Sequence, residues 1–261
     1  MLAGSLLYAC QPTAPETARP ASQPIPEEVV AKVKAMGFST YNMQPTEGGY
    51  IVENDIFLDE KQLDAGHQRQ MLRVGNSEQY RTNALVNNLP RTIRVSMANN
   101  MAQVFRDALQ VAIDRYNAQG LALSFSRVGS GGDIHFLNAP ATAGYLASAG
   151  FPSGGNPHNH VRVNTAIYGA TDTSPARVAH LASVFAHEIG HCIGFRHTDY
   201  MDRSYSCGGS PVNEGAGSIG AIQIPGTPAG PDPNSWMLAC LSLDQDRPFN
   251  PNDITALNVL Y

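Results

Sequence analysis

Between residues 187 and 197 the chain reads His187-Glu188-Ile189-Gly190-His191-Cys192-Ile193-Gly194-Phe195-Arg196-His197. His187 and His191 are four apart, so on a helix both rings leave one face a turn apart and reach a single ion at roughly 2.0 to 2.1 Å. Glu188 is angled away from that pair yet close enough to serve as general base to a water on the same ion. A glycine three residues past the second His can adopt a left-handed conformation and end the helix, which lets His197 return as third ligand. Three protein ligands and one open position describe a catalytic zinc site, not a structural one. An amphipathic helix with a polar wet face would account for His187, Glu188 and His191, but for neither Gly194 nor His197.

Composition narrows the class. With 261 residues, 43% of them hydrophobic and 15% charged, the chain can bury one substantial core and a smaller accessory segment. The net charge of -5 is spread out, and without clustered Lys and Arg no nucleic-acid partner is expected. Apolar runs stop well short of the roughly 18 to 20 residues of a spanning helix, so a membrane is expected only through a lipid anchor. Met1 to Ala9 is apolar and ends in the lipobox-like word Leu7-Tyr8-Ala9-Cys10, which makes Cys10 the lipidation candidate, although no Lys or Arg precedes it. Gln11 to Pro26 carries five prolines and reads as a tether. The expectation is an exported protein, secreted or held at a bacterial cell surface, and monomeric.

Periodicity supplies the layout. Glu27 to Met36 has helical spacing and is closed by Gly37; Gly49 to Leu58 looks like one strand. Arg91 to Met97 alternates as a strand, and Asn100 to Ala118 places Met101, Val104, Phe105, Leu109, Ala112, Ile113 and Tyr116 on one helical face. Leu121 to Val128, Asp133 to Leu137, Ala143 to Ala149 and His160 to Ile167 supply four further strands. Ser174-Pro175 opens the histidine-bearing helix with a cap and a first-turn proline. After Gly194 the chain is mostly loop, ending in a helix from Pro251 to Leu260 capped by Asn250 or Asn252. Cys207 and Cys240 lie in glycine- and proline-rich segments that packing alone would hold poorly, so they are the disulfide candidates, although spacing does not settle connectivity. Cys192 is expected in the core. Asp133, after a glycine loop, is a weak calcium candidate.

The eleven-residue word resembles the metzincin signature, which is followed by a methionine turn. HEIGH and GFRHTD look like the bacterial dual-action HEIGH metallopeptidase family, with astacins as relatives, over about residues 85 to 261. The resemblance implies an α+β catalytic domain with a mixed twisted sheet, two long helices and a loop-rich C-terminal subdomain. It makes His187, His191 and His197 the ligands of one Zn2+ and Glu188 the general base. Ser235-Trp236-Met237 fits the turn, with Met237 as an apolar floor. Two positions depart from astacins: Thr198 and then Asp199 stand where they carry Glu, and Ala239 stands where they carry a metal-reaching Tyr. Astacin propeptides carry a Phe-x-Gly-Asp word whose Asp caps the zinc, and Val52-Glu53-Asn54-Asp55 is similar at its Asp, making Asp55 the latency candidate against the alternative of a solvated acid at a strand edge. The domain map is then a signal remnant and tether over 1–26, a propeptide over 27–84 and a catalytic domain over 85–261. The expected activity is zinc endopeptidase action on protein or peptide substrates, with Glu188 assisting attack by a zinc-bound water. The alternatives are a non-proteolytic zinc-containing surface-binding protein and an amidohydrolase of a non-peptide amide.

Overall fold

The computed structural model describes residues 24–65, 79–216, 218–228, 230, 232–243 and 245–261. Cys10 and most of the proline-rich tether lie outside these. In chain order the elements are α1 (Glu27–Ala35), β1 (Gln44–Thr46), β2 (Gly49–Val52), β3 (Ile56–Asp59), α2 (Glu60–Ala65), β4 (Tyr80–Arg81), β5 (Arg91–Met97), α3 (Gln103–Asn117), β6 (Leu123–Arg127), β7 (Ile134–Asn138), β8 (Ala147–Ala149), β9 (His160–Val163), α4 (Thr165–Tyr168), α5 (Pro175–Ile193), α6 (Ser204–Cys207), β10 (Ile222–Gln223) and α7 (Pro251–Leu260). The fold is α+β.

Eight strands form one mixed sheet in the order β1-β2-β3-β8-β9-β7-β5-β6. β5 pairs in parallel with β6 and β7, and β7 with β9, while β8 runs antiparallel to β9. The helices α3 and α5 pack together over this sheet. Val104, Phe105, Ala108, Leu109, Ala112, Ile113 and Tyr116 recur at helical spacing along α3 and bury that face against Phe185, Ile189 and the sheet residues Ile93, Val95 and Phe136. Tyr116 also donates from its hydroxyl to the Ala186 carbonyl at 2.8 Å, fixing α3 axially on α5.

Three expectations are corrected. The run from Gly49 to Leu58 is not one strand but the hairpin β2–β3, whose register pairs Val52 with Ile56. Glu53 and Asn54 turn the chain with φ of 56° and 72°, a conformation that Asn tolerates and Glu seldom adopts, so alternation alone could not reveal the break. The strand expected to Ile167 stops at Val163, because Asn164 donates from its side chain to the Ala143 carbonyl and α4 begins. The strand expected from Ala143 starts at Ala147.

Hairpin β2–β3 completes the sheet. β3 pairs in parallel with β8 at Ile56 and Ala149, and the Ala149 N–H donates to the Asp55 carbonyl at 2.9 Å. Val33, Met36, Phe38, Val52, Ile56, Leu58 and Leu63 form a second apolar cluster closed by Phe151. The described stretch 24–65 is therefore packed onto β8 and Phe151 through both backbone and side chains.

The last helix is fixed by a reciprocal cap. Asn250 accepts from the N–H groups of Asn252 and Asp253, and Asp253 accepts from the N–H of Asn250. Asp253 also accepts from the Trp236 N–H and from Gln79. Asn250→Ala is expected to lower stability by about 1 to 2 kcal/mol, the range for a lost side-chain cap. A urea midpoint indistinguishable from the parent chain would remove that role.

Candidate metal centre

Helix α5 starts where the Ser174 Oγ accepts from the Arg177 N–H, and ends at Gly194, whose φ of 114° suits glycine. A Cβ at Gly194 would come within 2.7 Å of the Leu85 side chain and 2.9 Å of the Ala84 carbonyl oxygen. The turn sends the chain back so that His197 faces the helix. The ring centroids of His187, His191 and His197 lie 4.7 to 5.2 Å apart. Gly190, one residue before His191, permits another close approach: a Cβ there would lie 2.6 Å from Met237 Sδ. Met237 is fully buried against the helix at that point, and its carbonyl accepts from the Thr198 N–H.

Each histidine is oriented through Nδ1. His187 donates to the Trp236 carbonyl at 2.9 Å, His191 to the Phe195 carbonyl at 2.9 Å, and His197 to the Glu214 carboxylate at 2.9 Å. A carbonyl only accepts, so the first two rings carry their proton on Nδ1 and turn an Nε2 lone pair inward. His191 Nε2 and His197 Nε2 are 3.2 Å apart, and His187 Nε2 is buried with no hydrogen-bond partner among the described residues. Two ligands at roughly 2.0 to 2.1 Å in tetrahedral geometry stand about 3.3 Å apart, so these residues fit a zinc ion. Asp55 closes the group from the hairpin: its Oδ2 is 3.1 Å from His197 Nε2 and 3.7 Å from His187 Nε2. The ligand atoms of Asp55, His187, His191 and His197 all lie within 4.8 Å of one another.

Electrostatics differ from ring to ring: burial would lower the His197 pKa, but Asp55 and Glu214 outweigh it and hold it well above its ordinary value, so an ion there displaces a proton. Burial, then the neighbouring imidazoles, holds the His191 pKa well below its ordinary value, the neutral form that a ligand needs. Burial would raise the Asp55 carboxyl, but His197 and His187 outweigh it and hold Asp55 well below the usual range. Burial, reinforced by Asp55, pushes the Glu188 carboxyl well up. Its Oε2 is buried without a partner among the described residues. Glu188 and His187 line a cavity of about 280 Å3 whose walls include Leu146, Ala147, Val184, Leu238 and Leu241.

The candidate cysteines and Asp133 fall elsewhere, as do Asp199 and the nearby tyrosines and histidines. Cys207 and Cys240 are joined by a disulfide that ties α6 to the segment after Met237, while Cys192 is free and buried. Asp133 is engaged by Arg94, whose backbone N–H and guanidinium both donate to its carboxylate. Asp199 accepts from the Ala239 N–H and from Ser206 Oγ, so it holds the main chain two residues past Met237. Tyr200 is buried edge-on against Tyr80, and Tyr205 is exposed. His135 bonds Ser96 and His180 the Gln245 carbonyl, both away from the centre.

Sequence reasoning missed Glu214. It stands alone in a glycine-rich loop, 17 residues past His197, and no spacing rule connects the two. It also missed the buried Arg196, Arg203 and Glu53 around it: Arg203 Nε is 3.1 Å from Glu214 Oε1, and Arg196 Nη2 is 3.3 Å from Glu53 Oε2. Burial, then Glu214, pushes the Glu53 carboxyl up against the pull of Arg196, whereas His197 and the two arginines overcome burial and hold Glu214 below its ordinary value.

The profile of the family described as Dual-action HEIGH metallo-peptidase matches residues 52–261 of this chain, a span that begins just before Glu53 and Asp55. No curated protein matches. Among solved structures, one of myroilysin is 17% identical at a TM-score of 0.34, covering 45% of this chain and 54% of that one, so the chain spans about half of its length. A second myroilysin structure is 13% identical at a TM-score of 0.40, covering 69% and 86%. High choriolytic enzyme 1, a hatching enzyme zinc-protease from the medaka fish Oryzias latipes, is 14% identical at a TM-score of 0.33, covering 65% and 88%.

Outer partners of ligating imidazoles typically tune metal affinity 10- to 100-fold. Glu214→Gln keeps an acceptor for His197 but removes its charge, and is expected to weaken zinc binding by about tenfold on that scale. Competition with a chromophoric chelator measures this, and unchanged affinity would show that Glu214 does not tune the metal.

Proposed function

Because this chain belongs to the dual-action HEIGH metallo-peptidase family, we propose that it is a zinc endopeptidase that is exported and made latent. The observation that carries the reading is the set of inward-facing Nε2 atoms beside a buried, unpartnered Glu188 carboxylate oxygen. His187, His191 and His197 would hold the ion. When bound, zinc supplies a Lewis acid that polarises a scissile carbonyl and makes a water acidic near neutral pH.

The remaining steps belong to the chain. Glu188 takes the proton of the attacking water and returns it to the leaving amine nitrogen. The apolar cavity next to Glu188 receives a substrate side chain. β8 offers its edge to an extended peptide as an added strand, the place that β3 now occupies. Residues 27–84 act as a propeptide, with Asp55 occupying the position that the attacking water requires. Residues 1–26 act as export signal and tether, lipidated at Cys10.

Two variants test this. Glu188→Gln is expected to retain one zinc per chain while kcat/KM on a peptide substrate falls by about 10² to 10⁴ or more, the scale of a lost general base. Normal turnover in that variant would end its assignment. Asp55→Ala in the full chain is expected to hydrolyse peptide without prior cleavage, in a chelator-sensitive manner. If it stays inactive until cut, Asp55 is not the cap.

A further inference from the structure

Behind the metal ligands lie four charged side chains removed from solvent. Arg196, Arg203 and Glu214 come from the segment after Gly194; Glu53 comes from the tip of the β2–β3 hairpin. The side chains of Arg196 and Glu53 have no exposed surface. Arg196 Nη2 is 3.3 Å from Glu53 Oε2 and 3.8 Å from Glu214 Oε2, while its Nη1 donates to the carbonyls of Gly215 and Gly220. Its Nε is buried and has no acceptor among the described residues. Arg203 donates to the Glu53 carbonyl oxygen at 2.6 Å, and the Ser39 N–H donates to Glu53 Oε1 at 3.1 Å. The Arg196 guanidinium sits over the rings of Phe38 and Tyr200, 5.2 and 5.4 Å from their centroids.

Two cations here face two acids. Glu214 is committed to His197, so Glu53 is the acid that serves Arg196. The hairpin tip is bent to deliver it, since a glutamate at φ 56° is held in a conformation that side chains seldom adopt. If the hairpin departs, Arg196 loses its carboxylate and the Phe38 ring together, leaving two guanidinium groups against the one glutamate, Glu214, that Arg203 and His197 already engage. A buried charge deprived of its partner is strongly unfavourable, so the vacated position favours another carboxylate. A planar guanidinium with a spare N–H suits that ligand better than a spherical anion.

We propose that Arg196 forms a carboxylate-binding subsite beside the metal centre, with Arg203 holding the main-chain carbonyl of the residue that enters it; Glu53 fills it in the full chain and an acidic side chain of a peptide substrate once the hairpin has left. The substrate half rests on the reading of residues 27–84 as a removable propeptide. Glu53 precedes Asp55 by two residues, so the bound acid would lie within about two residues of the scissile bond, the reach of roughly 7 Å of extended chain.

The subsite is tested on the full chain without using peptidase activity. Glu53→Ala is expected to lower Tm on the order of 10 °C, the scale for a buried charge left unpaired in a domain of this size. Sodium acetate is expected to restore it saturably at fixed ionic strength, with sodium chloride as control, while the parent chain and Glu53→Gln do not respond. A Tm unmoved by Glu53→Ala, or an equal acetate effect on all three chains, overturns the subsite. The occupant is tested on the matured parent enzyme with peptide pairs differing by Glu or Gln two residues from the cleaved bond, where a preference for Glu of about tenfold in kcat/KM is expected, the value of one charge-assisted bond. Equal turnover of the pair overturns a substrate acid as the occupant, and this arm decides that question even if Glu53→Ala does not fold. Acetate rescue with no hydrolysis of either peptide would leave the subsite standing and count against the peptidase reading alone.

Discussion

Inward-facing imidazole lone pairs are the constraint to which the surrounding structure answers. With the Nδ1 protons of His187 and His191 committed to carbonyl oxygens, and His197 bonded to Glu214, three basic nitrogens and the Asp55 carboxylate converge in a buried space. Hydrogen bonding alone provides only for His197, whose pKa burial would lower but Asp55 and Glu214 hold well above its ordinary value, and it leaves His187 Nε2 without a partner among the described residues. A divalent cation satisfies all four at once. The glycines of the motif then have specific work: Gly194 turns the chain so that His197 can return, and Gly190 leaves room for the Met237 sulfur that supports the helix.

The amino-terminal hairpin belongs to this same electrostatic unit. It completes the sheet through β3 on β8, and it delivers both Asp55 to the histidines and Glu53 to the arginines. Two neighbouring acids thus act on two sides of His197, one at the metal face and one behind Glu214. Releasing the hairpin would require breaking backbone pairing, an apolar cluster around Phe151 and a buried ion pair in one event. In the proposed reading of residues 27–84 as a propeptide, that coupling would keep the segment from leaving piecemeal.

Much of this could be read from residue order, and what could not has physical reasons. Local signals carried α5 from its Ser174 cap to Gly194, α3 through its apolar stripe and α7 through Asn250, because capping and periodicity act over a few residues. The three histidines and Glu188 were legible for the same reason. The Glu53-Asn54 turn was not, since Glu is a poor turn residue and its backbone is held by contacts with Arg203 and Ser39 far along the chain. Glu214, Arg196 and Arg203 escaped notice because burial turns ordinary surface residues into a network, and burial is a property of the folded chain. Asp55 lay between these cases: a resemblance of one position pointed to it, and the hairpin brings it against His197.

X-ray absorption at the zinc edge of the full chain tests the central claim most directly. The account predicts one zinc per chain in a four-coordinate shell of three imidazole nitrogens and one carboxylate oxygen at roughly 2.0 to 2.1 Å. A sulfur in the first shell, a six-coordinate oxygen environment, or the absence of stoichiometric metal in folded protein would contradict it.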